Sequence, residues 1–200
     1  MLLMTRERIA SHLLEISSLV DRYQQRDPAF VEQVIKWLGE LEKVLLQLRS
    51  PVAAFIAGER GKIIAVHDGL RDPHIIGAKL SPRKASMATA SLVLARVEEN
   101  LRSTITEIDT KFDAWREKMS QLLALASMKH PIPLPPTDPR QRWLKKVWRQ
   151  LGQCDEAMGM YVYLNAVMSQ SDRLHLLDEL TQNMLDDIKT AELNIPKKGK

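Results

Sequence analysis

His67 and Asp68 stand side by side in this chain, with Asp72 and His74 close behind and His12 upstream. Imidazole and carboxylate at that spacing are ligand types for a divalent metal, and a bound metal can activate water for hydrolysis. The same letters describe a helix end. A histidine favours the negative C-terminus of a helix, and Asp68-Gly69 makes a turn.

The preceding stretch, SPVAAFIAGERGKIIAVHDG, holds GERGK, but its spacing excludes a phosphate loop. That loop needs Gly, four residues, then Gly-Lys-Ser/Thr after a strand. Ile56 occupies the first glycine position, and Ile63 follows Lys62 where a hydroxyl should be. No GxSxG or HExxH occurs. Cys154, the single cysteine, is followed by Asp155 and Glu156, and nearby carboxylates raise a thiol pKa. A buried structural role is expected for it. No catalytic residue is assigned, no cofactor is expected, and the chain is read as non-enzymatic.

RQRWLKKVWRQ, residues 140–150, is the strongest binding signal. Arg142, Lys145, Lys146 and Arg149 share one helical face, with Trp143, Val147 and Leu151 on another. Such a face can neutralise phosphates, and Trp143 at its edge would stack on bases. The plain alternative is a solvated basic face over core tryptophans. Lys79, Arg83 and Lys84, and Lys197, Lys198 and Lys200 in the tail, would extend a basic surface if they fold beside it.

These groups need a scaffold, and the composition says which. The 200 residues are 44% apolar, enough for a sizeable core, and carry a net charge of +4. Leu, Ala, Glu, Lys, Arg, Gln and Met abound, while alternating β-branched runs are scarce. The expected fold is all-α: a bundle of about six helices, with one long coiled-coil-like helix and a Pro-rich connector. A single cysteine excludes an internal disulfide and fits a reducing compartment. No apolar run approaches the roughly 20 residues that span a bilayer, and charges come too early for a signal peptide. A soluble, cytoplasmic protein is the expectation.

Asp27-Pro28, Ser50-Pro51, Ser81-Pro82 and Asp138-Pro139 punctuate the chain. A short polar oxygen caps a first turn, and proline fits the first helical position. Helices are predicted over residues 5–25, 28–49, 51–67, 82–127, 139–168 with a bend near Gly152 or Gly159, and from about 171 onward. The division expected is an N-terminal helical region 1–129, a connector 130–138 (HPIPLPPTD), a C-terminal helical pair 139–192 on the same core, and a basic tail 193–200. In the third helix, Ala54, Gly58, Gly61 and Ala65 make a small stripe, expected to pack closely against a neighbour. Val52, Phe55, Ile56, Ile63 and Val66 form the bulky face, with Glu59 among them as a salt-bridged residue. GMYVYLNAVM, residues 159–168, is apolar nearly all round and is expected to be central. In the long helix, Leu94, Val97, Leu101, Ile105, Ile108, Phe112, Trp115, Met119 and Leu122 repeat at three or four. That seam must be covered, within the chain or by a partner.

Three functional readings follow. The first is a non-enzymatic interaction subunit that assembles with itself or with a protein partner. The second is nucleic-acid binding through Arg142, Lys145, Lys146 and Arg149, helped by Trp143. The third is an HD-like metal-dependent phosphohydrolase built on His67, Asp68, Asp72 and His74. No family resemblance rests on two letters.

Overall fold

The computed structural model describes residues 1–70, 80–129 and 140–193, with side chains through Met184. The connector, Asp72, His74, Lys79 and the tail lysines lie outside the described residues. The protein is all-helical: α1 (Leu2–Gln24), α2 (Phe30–Gln47), α3 (Val52–His67), α4 (Pro82–Lys129), α5 (Arg140–Leu151), α6 (Met158–Val167) and α7 (Gln170–Leu193), with a 3-10 turn at Asp155–Ala157 before α6. Among the described residues there is no strand, and no helix is long and apolar enough to cross a membrane. The chain forms two compact units that divide within α4, after Ile108.

The first unit, Leu2–Ile108, has one core drawn from four helices. Ile9, Ile16 and Leu19 of α1, and Phe30, Val34, Leu38, Leu41 and Leu45 of α2, are buried. So are Ile56 and Ile63 of α3, and Val93, Val97 and Leu101 of α4. The proline pairs mark helix starts where they are described, but the expected side-chain caps are not made at α2 or α3, whose N-cap residues are Ala29 and Pro51. The Asp27 carboxylate accepts the Ala29 N–H at 2.9 Å, and α2 begins at Phe30. That backbone bond, with the Arg22 guanidinium, holds the Asp27 carboxyl below the usual carboxylate range. α3 starts one residue after Pro51, and Pro82 is the first residue of α4.

α3 ends where His67 and Asp68 suggested. The N–H of Asp68 donates to the Ile64 carbonyl at 2.9 Å and that of Leu70 to the Ala65 carbonyl at 2.9 Å. Gly69 sits between them at φ +99°, the left-handed conformation glycine adopts without strain.

The small stripe of α3 is a correction. It faces water: Ala54, Gly58 and Gly61 are exposed, and a Cβ added at either glycine would meet nothing within 4 Å. α3 lies against α2 by its other face, where Arg60 reaches Glu42 at 2.9 Å. No close helix approach explains the glycines, so their cost in helix stability stands.

In the second unit, Phe112, Trp115, Met119, Leu122 and Leu123 of α4 are buried, as are Trp143, Leu144, Val147, Trp148 and Leu151 of α5, Leu164 of α6, and Leu176 and Leu177 of α7. Arg116 of α4 meets Glu179 of α7 at 3.0 Å, and Arg140 of α5 pairs with Asp178 of α7. The helix expected over 139–168 is two helices, because Gly152 ends the first. The Tyr161 ring stands over it: a Cβ at Gly152 would lie 2.6 Å from Tyr161 Cζ.

The glycines therefore predict opposite outcomes. Gly58→Ala and Gly61→Ala each raise stability, by about 0.5–1 kcal/mol. Gly152→Ala lowers it by about 1–3 kcal/mol, the usual range for overpacking. Urea denaturation of the three variants checks both signs.

Candidate functional site

Glu59 is 4% exposed, on α3 among the residues facing the core. It pairs with Lys62 one turn on and with Arg96 of α4, whose guanidinium lies 3.6 Å from Oε2. Salt bridging was expected, but the depth of burial was not. Both cations reach water while the carboxylate does not, so this is a tether between α3 and α4 rather than an open site. His67 and Asp68 are exposed at the helix end. His12 is engaged elsewhere, with Glu15 at 3.3 Å and edge-on to Trp37. Among the described residues, no three His, Cys, Asp or Glu side chains gather where a metal ion could sit. Asp72 and His74 are outside them.

α5 carries five cations and no acid. Arg140 is committed to Asp178 and to Gln182, the latter at 3.0 Å. Arg142, Lys145, Lys146 and Arg149 are all exposed. None of the four has an ion-pair or hydrogen-bond partner among the described residues. At about 100° per residue they span an arc of roughly 100°. Trp143 does not stand at their edge, because it is 5% exposed and belongs to the core. Trp148, the other tryptophan of α5, stacks on Tyr161 at 4.8 Å and carries the Arg173 guanidinium on its ring at 4.8 Å. Its indole N–H donates to Asn165 Oδ1 at 3.3 Å. Burial lowers the pKa of Arg173 from the ordinary guanidinium value, yet it remains the cationic face of this stack. The basic face thus offers charge to a polyanion and no ring for a base to stack on. Arg83 and Lys84 are exposed on the part of α4 that belongs to the other unit.

α6 departs furthest from expectation. An all-apolar helix was expected at the centre of the fold. Instead Leu164 is its one buried residue, with Met168 just beyond the end. Met158, Val162, Ala166, Gly159, Tyr163 and Val167 are all exposed. In that order they cover about half the helix circumference without a charged residue. The exposure is substantial for apolar side chains: 56% for Val162, 42% for Tyr163 and 40% for Val167. Lys118 of α4 lies over the Tyr163 ring at 5.2 Å, and Lys129 of α4 pairs with Glu156 just before α6. Leu125 falls on the α4 stripe between those two lysines and is also exposed. A contiguous apolar face of this kind marks a protein contact more often than chance exposure. Sequence reasoning saw that α6 was apolar all round but could not see which half the fold would cover.

Cys154 is buried, with its sulfur 3.6 Å from Glu156 Oε2. No family model, curated protein or solved structure matches this chain.

If Glu59 is a tether, its partners should matter more than its own charge. Arg96→Ala lowers stability by about 1–3 kcal/mol, because it strips a partner from a buried carboxylate. Glu59→Leu, which removes the buried charge altogether, is neutral or stabilising. A large loss of stability in Glu59→Leu would sink this account.

Proposed function

We propose that this chain is a non-enzymatic assembly subunit that associates with copies of itself. The observation that carries the reading is the exposed apolar half of α6. The α4 seam, the feature that first suggested assembly, does not carry it. Leu94, Val97, Leu101, Ile108, Phe112, Trp115, Met119 and Leu122 are buried within one chain. A surface for partners must therefore come from elsewhere, and the exposed apolar half of α6 offers one. Light scattering over a concentration series tests the reading. The expected result is an average mass that rises reversibly with concentration. A mass fixed at that of one chain throughout would end it.

A second reading is favoured by a separate observation, the four exposed cations of α5 that have no partner among the described residues. It is binding of a nucleic-acid backbone. With both α5 tryptophans in the core, contact is to phosphate alone, so binding is indifferent to sequence. Four neutralised phosphates on a duplex give a log–log salt slope of roughly −3.6. The double substitution Lys145→Glu, Lys146→Glu reverses the charge of an exposed face. It should abolish duplex binding in an electrophoretic mobility assay and leave the circular dichroism spectrum unchanged. Binding that survives it would refute this reading.

A further inference from the structure

We infer that α5 docks on the outside of a nucleic-acid duplex, along the phosphates and not in a groove, so that it selects duplex over single strand and does not tell DNA from RNA. This rests on the second reading above, and it names the class of nucleic acid and the way it is held. The order of side chains around α5 carries it.

Arg142 and Arg149 lie on nearly one line along the helix, about 10.5 Å apart on its axis. Lys145 and Lys146 stand halfway along, one to each side of that line. Gln141 and Gln150, both exposed, fall about 90° from the centre of the four cations, on opposite sides. Trp143 and Trp148 follow about 20° further round. Each is 5% exposed, so the core closes there. The exposed half of α5 therefore has its charge at the crest and amides at its margins.

A helix that reads the major groove has the opposite order. Its crest meets base edges, and its margins meet the phosphates on either side. That groove is about 12 Å wide and admits a whole helix, whereas α5 is free over only half its girth. Cations at the crest fit a convex line of phosphates and not a cleft. The two arginines offer planar, bidentate donors to phosphate, and the lysines beside them offer point charges. The ligand is a duplex because charge is all the face provides. A duplex carries one negative charge per about 1.7 Å of axis, counting both strands, while single strands depend on stacking against exposed rings. Every apolar residue of α5 is buried, so the face has nothing to insert into a lipid surface.

Fluorescence anisotropy of the full chain tests the docking, with a short labelled DNA duplex, the same duplex as RNA, and one DNA strand alone. A-form RNA has a deep, narrow major groove, so a groove-bound helix would separate the two duplexes sharply. The expected result is that they bind within about threefold of each other, and that the single strand binds about tenfold or more weakly. The double substitution Gln141→Ala, Gln150→Ala, at exposed margins, leaves duplex binding unchanged. If DNA is preferred to RNA by more than about tenfold, or the glutamine substitutions weaken binding, α5 enters a groove. If the single strand binds as tightly as the duplexes, the selection for duplex is wrong. In each of these cases this inference fails and the nucleic-acid reading survives. Duplex binding that persists in Lys145→Glu, Lys146→Glu is not made by α5 and overturns both. So does a failure to bind any of the three at low salt, and capture by phosphatidylserine vesicles in their place would assign the face to a lipid surface.

Discussion

One unbroken helix supplies both hydrophobic cores. α4 has no glycine or proline between Pro82 and Lys129, and its apolar positions recur at three and four throughout. Val93, Leu94, Val97 and Leu101 enter the core of the first unit. Phe112, Trp115, Met119 and Leu122 are buried in the second. Each unit buries only part of that stripe, and both cores draw on α4. A helix interior tolerates few interruptions, since one proline costs about 3 kcal/mol. The continuity of α4 is therefore a condition of the fold. It also uses up the seam: a stripe consumed within the chain has nothing left to offer a coiled-coil partner.

The break between α5 and α6 decides what the surface presents. At about 100° per residue, an unbroken helix from Arg140 onward would place Met158, Val162 and Ala166 on the Trp143–Val147–Leu151 stripe. The same helix would turn Leu164 and Met168 toward the basic face. The structure does the reverse: Leu164 and Met168 are buried, and Met158 and Val162 are exposed. The Tyr161 ring over Gly152 and the 3-10 turn at Asp155–Ala157 change the phase, so the two helices bury faces that one helix could not. The stack of Tyr161, Trp148 and Arg173 fixes the new phase by joining α6, α5 and α7.

This is also where the sequence stopped being legible. The all-helical class, the long helix, the helix starts after Asp-Pro and Ser-Pro, and the turn at Asp68-Gly69 could all be read from it. Each is a local matter of caps, breakers and periodicity, and local physics settles it. Gly152 was read as a bend and not a break, because nothing in Gly-Gln-Cys announces that a ring nine residues on will lie against the glycine. The α3 stripe was misread for a related reason. Periodicity sorts residues into faces but does not say which face a neighbour will cover. Glycine at Gly58 and Gly61 fits close packing and open water equally well on paper. Trp143 shows the same ambiguity on α5, where the position next to a basic face turned out to be core.

α6 is ten residues long, too short to be stable as an isolated helix. What holds it is on its inner side: Leu164, Met168 and the Tyr161 stack. Its outer half contributes less to that hold: Met158, Val162, Tyr163 and Val167 are 37–56% exposed, although Lys118 lies over the Tyr163 ring, so folding alone gives only part of the reason for these residues to be apolar. Polar residues there would leave the core intact and make the chain more soluble. An apolar face that the fold uses only in part, on a helix the fold otherwise positions firmly, is what a rigid contact surface requires. The basic face of α5 differs in kind. Long, solvated lysine and arginine side chains are an ordinary way to finish an amphipathic helix, so that face has an explanation without a partner. The outer half of α6 has only part of one within the chain, and that asymmetry puts assembly ahead of polyanion binding.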